Sequence, residues 1–198
     1  NIPYGVIRDY PDYEIRGVMF DVGRIPHRLQ YLQDYTKILT WYKMNEFQLH
    51  LNDDFTYSPE GLPSGSEWNG MHRLESDAFP SLTENQAYTG ERFEYFNEVY
   101  GDPVYTKDDY RNLEDMANAG GIDLIPEFDT PSHSNAYIRY AQENPDDIDW
   151  LGPIQSNNDS QMRALDMNSS NPAEAETAKT ARKFMETLFN DYQRGADA

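Results

Sequence analysis

The chain has 198 residues, 38% hydrophobic and 26% charged, a balance that supports one folded domain with a real core and excludes general disorder. Its 35 acidic residues against 16 basic ones give a formal charge of -19 spread along the chain, the wrong sign for a nucleic-acid partner. There is no cysteine, which excludes disulfides and thiolate metal sites, and no apolar run approaches the ~20 residues that span a bilayer, so no membrane insertion is expected.

Residues 1–15 read as a linker entering a domain that occupies 16–198. Arg16-Gly17-Val18-Met19-Phe20-Asp21-Val22 is a compact apolar run of the kind found in buried parallel strands. Beyond a Gly23-Arg24-Ile25-Pro26 loop, Tyr31, Tyr35, Ile38, Leu39 and Tyr42 fall at helical spacing, predicting a helix that covers one face of that strand's sheet and ends near Met44-Asn45. Glu46-Phe47-Gln48-Leu49-His50-Leu51 alternates polar and apolar residues as a second strand, with Asn52-Asp53-Asp54 as its loop. From Phe55 to about Tyr105 the pattern dissolves, far beyond the ~2–6 residues of an ordinary βα loop. Trp68, Phe79, Tyr88, Phe93, Tyr95, Phe96 and Tyr100 are too aromatic for a disordered linker and predict an ordered insertion near the mouth of the sheet.

Thr106 and Asp109 have capping-box spacing, and Tyr110, Leu113, Met116 and Ala117 mark the face of a helix that Gly120 ends. Gly120-Gly121 then turns into a third strand carrying Ile122, Leu124 and Ile125, expected to be buried on both faces and stopped by Pro126. This apolar run empties into Glu127, Asp129 and His133, which is how a buried strand delivers polar groups to a pocket. A short helix from about Ser134 to Gln142 and a polar excursion through Ser170 follow. Asn171-Pro172-Ala173-Glu174 starts a last helix with Ala178, Ala181, Met185, Leu188 and Phe189 as its apolar stripe.

Alternating strands and helices define an α/β fold, either a parallel βα barrel or a doubly wound sheet. Only three strands are visible, whereas a closed barrel needs eight and ~250 residues, so the sheet is open and small or the chain is the first part of a larger barrel. Side by side, the strands bring Asn52, Asp53 and Asp54 to the same rim as Glu127, Asp129 and His133. Arg16 begins its strand and by sequence belongs to the opposite rim. Taken singly, these residues have ordinary explanations: His50 as a hydrogen-bonded core histidine, Asp53 and Asp54 as loop or cap residues, Asp21 and Arg24 as a structural ion pair.

Together they leave three classes open. A metal hydrolase would use His50, Asp53, Glu127 or His133 as ligands, but the chain lacks His-x-His and His-Glu-x-x-His spacing. A glycosidase would place carboxylates at the mouth with aromatic residues lining the cleft. A non-catalytic sugar-binding or scaffold piece would use the same surface without acid-base chemistry.

Four segments narrow the choice: Arg16 to Arg24, Trp41 to Asp53, Tyr105 to Asp109 and Ile125 to Ser134. In order and spacing they resemble glycoside hydrolase family 20, which comprises β-N-acetylhexosaminidases and lacto-N-biosidases. The resemblance implies a (β/α)8 TIM-type barrel of which this chain supplies about the first three βα units. It also implies that Arg16 hydrogen-bonds ring hydroxyls of the sugar, that Asp53 and His133 support the catalytic acid, and that Glu127 plays a further supporting part. Family chemistry is retaining and substrate-assisted: the substrate's acetamido oxygen attacks the anomeric carbon, an aspartate orients it, and the adjacent glutamate protonates the leaving oxygen. No cofactor and no metal are implied. The partner is an oligosaccharide or glycoconjugate glycan ending in N-acetylhexosamine or lacto-N-biose, met outside a bacterial cell or on its surface. Because the chain contains no Asp-Glu dipeptide, the acid and its partner are expected beyond Ala198, and these residues alone are expected to be inactive.

Overall fold

A computed structural model of the protein describes residues 4–25, 27–55, 69–83, 104–145, 149, 151–154, 164–167, 170, 172 and 175–193. In chain order the elements are β1 (Gly17–Asp21), α1 (Leu29–Trp41), β2 (Glu46–His50), β3 (Asn52–Phe55), β4 (Asn69–His72), α2 (Lys107–Ala119), β5 (Asp123–Glu127), α3 (Asn135–Glu143) and α4 (Ala175–Tyr192). β1, β2 and β5 form a parallel sheet with β2 in the centre, and β3 and β4 form a separate antiparallel pair.

The parallel register sorts side chains into rows. Val18, Phe47 and Leu124 lie abreast, as do Phe20, Leu49 and Pro126, and strand alternation puts both rows on one face. Phe47, Leu49 and Leu124 are buried in a cluster with Leu32 and Leu39 of α1 and Leu113 and Ala117 of α2. The other face carries Met19, Gln48 and Ile125, then Asp21, His50 and Glu127. Met19 is 53% and Ile125 38% exposed, so the expected burial of the third strand on both faces is not met: no described element covers this side.

Other expectations shift for local reasons. The buried stripe of α1 is Leu32, Thr36 and Leu39, while Tyr31, Ile38 and Tyr42 are exposed. Thr36 can be buried because its hydroxyl donates to the Leu32 carbonyl at 2.8 Å. Pro126 lies inside β5 instead of stopping it. Residues 123 and 127 bond β2, through Asp123 N–H to Asn45 O and Leu51 N–H to Glu127 O, so the N–H that Pro126 lacks would point away from β2, towards the edge of the three-stranded sheet. Asn52-Asp53-Asp54, expected as a loop, forms β3.

The capping box of α2 is present, with Thr106 Oγ1 accepting from Asp109 N–H at 3.0 Å and Asp109 Oδ2 accepting from Thr106 N–H at 3.1 Å. Gly121 adopts φ 74°, the left-handed conformation the turn into β5 requires. Phe79 is buried at 0% exposure in a second core with Tyr137 and Tyr140 of α3 and Phe184, Met185 and Leu188 of α4. Phe184 replaces the half-exposed Phe189 in the expected stripe of α4. Trp68, Tyr88, Phe93, Tyr95, Phe96 and Tyr100 lie outside the described residues.

The β3–β4 pair runs against α3. A Cβ on Gly70 would meet the Ala136 amide nitrogen at 2.1 Å, so backbone touches backbone there. The fold is thus α/β with a parallel βαβ sheet, and the described residues form no closed barrel.

Candidate active site

Asp21, His50 and Glu127 form a row across the C-terminal ends of the three parallel strands. The chain then leaves the sheet at Leu51 and starts β3, which carries Asp53 back over the end of that row. Asp53 is 1% exposed, and its carboxylate is the centre of the cluster. Oδ2 lies 2.6 Å from His50 Nε2 and 2.5 Å from an Arg24 guanidinium nitrogen, while Oδ1 accepts from the Asp54 N–H at 2.6 Å. His133 Nδ1 approaches Oδ1 to 2.7 Å, a close contact that is out of line for a hydrogen bond. A carboxylate this deeply buried is tolerable because several positive or donating groups converge on it.

The surrounding frame is built from polar side chains with defined tasks. Asn52, wholly buried, accepts from Asp129 N–H through Oδ1 at 2.6 Å and donates through Nδ2 to the carbonyls of Asp129 and His133, both at 3.2 Å. It therefore clasps the loop after β5 and presents His133, whose φ of 56° is a left-handed conformation uncommon for a non-glycine residue. Gln48 Nε2 donates to Glu127 Oε2 at 2.6 Å and fixes that carboxylate at the rim. Arg73, 0% exposed, donates to the carbonyls of Val22 and Gly23 at 2.9–3.1 Å and secures the loop that bears Arg24.

Burial alone would lower the His50 imidazole's pKa, but its hydrogen bond to Asp53 and the charges of Asp21, Asp129 and Glu127 outweigh this and raise it above its ordinary value. Arg24 also holds Asp21 at 2.6 Å and is 41% exposed, so one planar cation spans two carboxylates and still faces solvent. The mouth of the sheet therefore presents a solvent-facing guanidinium, an imidazole braced by a buried carboxylate, and two rim carboxylates.

The structure brings Asp53, His133 and Glu127 together as strand-end reasoning expects. It does not bring Arg16. That guanidinium stays at the N-terminal rim of β1, where it donates to the carbonyls of Lys43, Tyr13 and Glu14 at 2.6–3.0 Å, so the sugar contact expected of Arg16 has no geometric basis there. Arg24 occupies the mouth instead. In the sequence Arg24 and Asp21 read as a structural pair and His50 as core, yet all three sit at or just past the C-terminal ends of the parallel strands, as do Asp53 and Glu127. For the buried Arg73 no sequence signal existed.

Residues 13–195 match Glycosyl hydrolase family 20, catalytic domain. A Beta-hexosaminidase of Vibrio furnissii is 33% identical over 167 residues, which cover 80% of this chain and 25% of that protein. An N,N'-diacetylchitobiase of Vibrio harveyi is 33% identical over 140 residues, covering 70% of this chain and 15% of that protein. Among solved structures, a GH20 Exo beta-N-Acetylglucosaminidase from Vibrio harveyi in complex with N-acetylglucosamine shares the fold at TM-score 0.61 and 22% identity, over 92% of this chain and 26% of that one. The chain thus spans about a quarter or less of the length of these relatives, and the family match over residues 13–195 takes in all four of the segments named from the sequence. With that match over residues 13–195 and 33% identity to both relatives, the chain belongs to glycosyl hydrolase family 20.

Proposed function

We propose that the protein carrying this chain hydrolyses terminal β-linked N-acetylhexosamine residues of glycans by the substrate-assisted, retaining route, and that this chain supplies the first three βα units of a (β/α)8 barrel together with the supporting side of the sugar site. The observation that carries the reading is the buried Asp53 carboxylate, held between His50, Arg24 and His133 at the C-terminal end of a parallel sheet, within the matched catalytic domain. Asp53 and His133 then orient and polarise the acid that protonates the leaving oxygen. The exposed fork of Arg24 suits adjacent ring hydroxyls, a geometry a lysine would not reproduce. The chain has no Asp-Glu dipeptide, so the proposal places proton transfer and acetamide orientation outside these 198 residues. An extracellular or bacterial cell-surface setting, where such glycans are met, is part of the proposal and rests on family resemblance.

The test is hydrolysis by the full-length protein of 4-nitrophenyl N-acetyl-β-glucosaminide beside the β-glucoside that lacks the acetamide. Turnover should require the acetamide. Arg24→Ala should lower kcat/KM about 100-fold, as expected for roughly 3 kcal/mol of charged hydrogen bonding to hydroxyls, with Arg16→Ala close to wild type. Equal turnover of both substrates, or an Arg16→Ala loss with Arg24→Ala unaffected, would overturn the reading.

A further inference from the structure

The cluster contains one buried atom that the sugar chemistry above does not use. His50 is 5% exposed and its Nδ1 has no hydrogen-bond partner, although it lies 3.3 Å from Glu127 Oε2 and 4.0 Å from Asp129 Oδ1. On the far side of the ring, Nε2 is 2.6 Å from the Asp53 carboxylate, which can only accept. Nε2 therefore carries the proton in the neutral ring, and Nδ1 points a lone pair at two anions. In the neutral ring three electron-pair donors face one another; Gln48 donates to Glu127 Oε2, but nothing donates to Nδ1, and the repulsion is relieved only by a positive charge at that point, either a proton on Nδ1 or a cation in its place.

We infer that His50 Nδ1, Glu127 and Asp129 form a binding site for a divalent transition cation of the Zn2+ type. Mixed imidazole and carboxylate donors suit a borderline metal, whereas Ca2+ and Mg2+ take all-oxygen shells. Metal–ligand bonds of about 2.0–2.2 Å require ligand atoms about 3.0–3.6 Å apart. The Nδ1–Glu127 separation already meets this, and Asp129 must close by roughly half an ångström. That movement is open to it, since the side chains of Glu127 and Asp129 are 31% and 32% exposed, and solvent can complete the shell. The Asp53–His50 hydrogen bond is the carboxylate that normally stands behind a metal-ligating histidine, fixing its tautomer and raising its basicity. Two other combinations at the mouth, Asp21 with His50 and Asp53, and Asp53 with Asp129 and His133, both draw on an Asp53 already engaged by Arg24, so a cation there would have to displace the guanidinium. A cation on His50 need not. It would sit beside the sugar site and draw Glu127 and Asp129 inward, which makes it an inhibitor of glycan entry rather than a cofactor.

Calorimetric titration of the full-length protein with Zn2+ alone, and visible absorption of added Co2+, test this without any turnover, so the outcome is independent of the hydrolase reading. Wild type should bind one Zn2+ that His50→Gln abolishes and that Glu127→Gln and Asp129→Asn each weaken at least ~10-fold, with Mg2+ giving no binding. If His50→Gln fails to fold, the two rim variants, checked by thermal melting, carry the test. Absence of stoichiometric Zn2+ uptake by wild type would overturn the site. So would uptake lost in His133→Gln or Asp21→Asn but retained in Glu127→Gln.

Discussion

Replacing Asp53 by asparagine removes the central charge of the cluster with almost no change of shape. Asparagine's oxygen can still accept from the Asp54 N–H, but its NH2 then faces His50 Nε2 and Arg24, where the carboxylate lies at 2.6 and 2.5 Å. Leaving the buried His50 donor unpaired costs about 1–3 kcal/mol. Arg24 is 41% exposed and can turn to water, so losing that contact costs only ~0–1 kcal/mol. The expected destabilisation is therefore about 2 kcal/mol, and it should depend on pH. His50 binds its proton more tightly folded than unfolded, so the stability it adds is complete below pH ~6.5 and fades as pH rises through its folded pKa. Asp53→Asn removes the largest interaction that raises this pKa. Urea unfolding with a chelator present should show a larger loss near pH ~5.5 than near pH ~9, and the His50 ring resonance should titrate at lower pH in the variant. An equal loss at both pH values, or an unmoved His50 midpoint, would refute the placement of Asp53 as the group that charges His50.

Gly70→Ala forces a Cβ into the Ala136 amide, so it should cost about 1–3 kcal/mol in urea unfolding and speed hydrogen exchange at Asn135, whose N–H donates to Asp54 Oδ1 at 3.1 Å. A variant as stable as wild type would show that α3 does not press on β4. His72 is fully buried between Phe128, Tyr137 and Tyr192, and burial drives its pKa down to about 3. Because the unfolded chain then takes up the extra proton, His72 costs stability as pH falls below ~6.5, by up to ~1.4 kcal/mol per pH unit. His72→Phe should flatten that limb of the stability curve, read by chemical unfolding between pH ~4 and ~7, and an unchanged slope would show that His72 takes up its proton as readily folded as unfolded.

The parts of the fold legible in sequence were those where side-chain period and burial coincide. The Phe47 and Leu49 alternation marks β2, and the Thr106–Asp109 box marks the start of α2. β3 was illegible because Asn52, Asp53 and Asp54 are buried for their hydrogen bonds, not for apolar area, and look like a loop to any hydrophobic criterion. Thr36 follows the same rule: a hydroxyl tied back to its own helix is buried while Tyr31 and Ile38 stay exposed. At the site, strand-end position puts Asp53, Glu127 and His133 on one rim, and the structure brings them together there. Arg16 shows the limit of assigning a role by motif, since two arginines flank β1 and only the axial direction of the strand says which one reaches the mouth.

The pairing of Phe55 with Asn69 closes the β3–β4 ladder on the side away from Asp53. Whatever residues 56–68 do, they leave and re-enter the domain at adjacent points, anchored through the ladder to the Gly70–α3 contact. Their length and composition can therefore drift over generations, or be rewritten by a protein engineer, without dragging the acidic hub out of register.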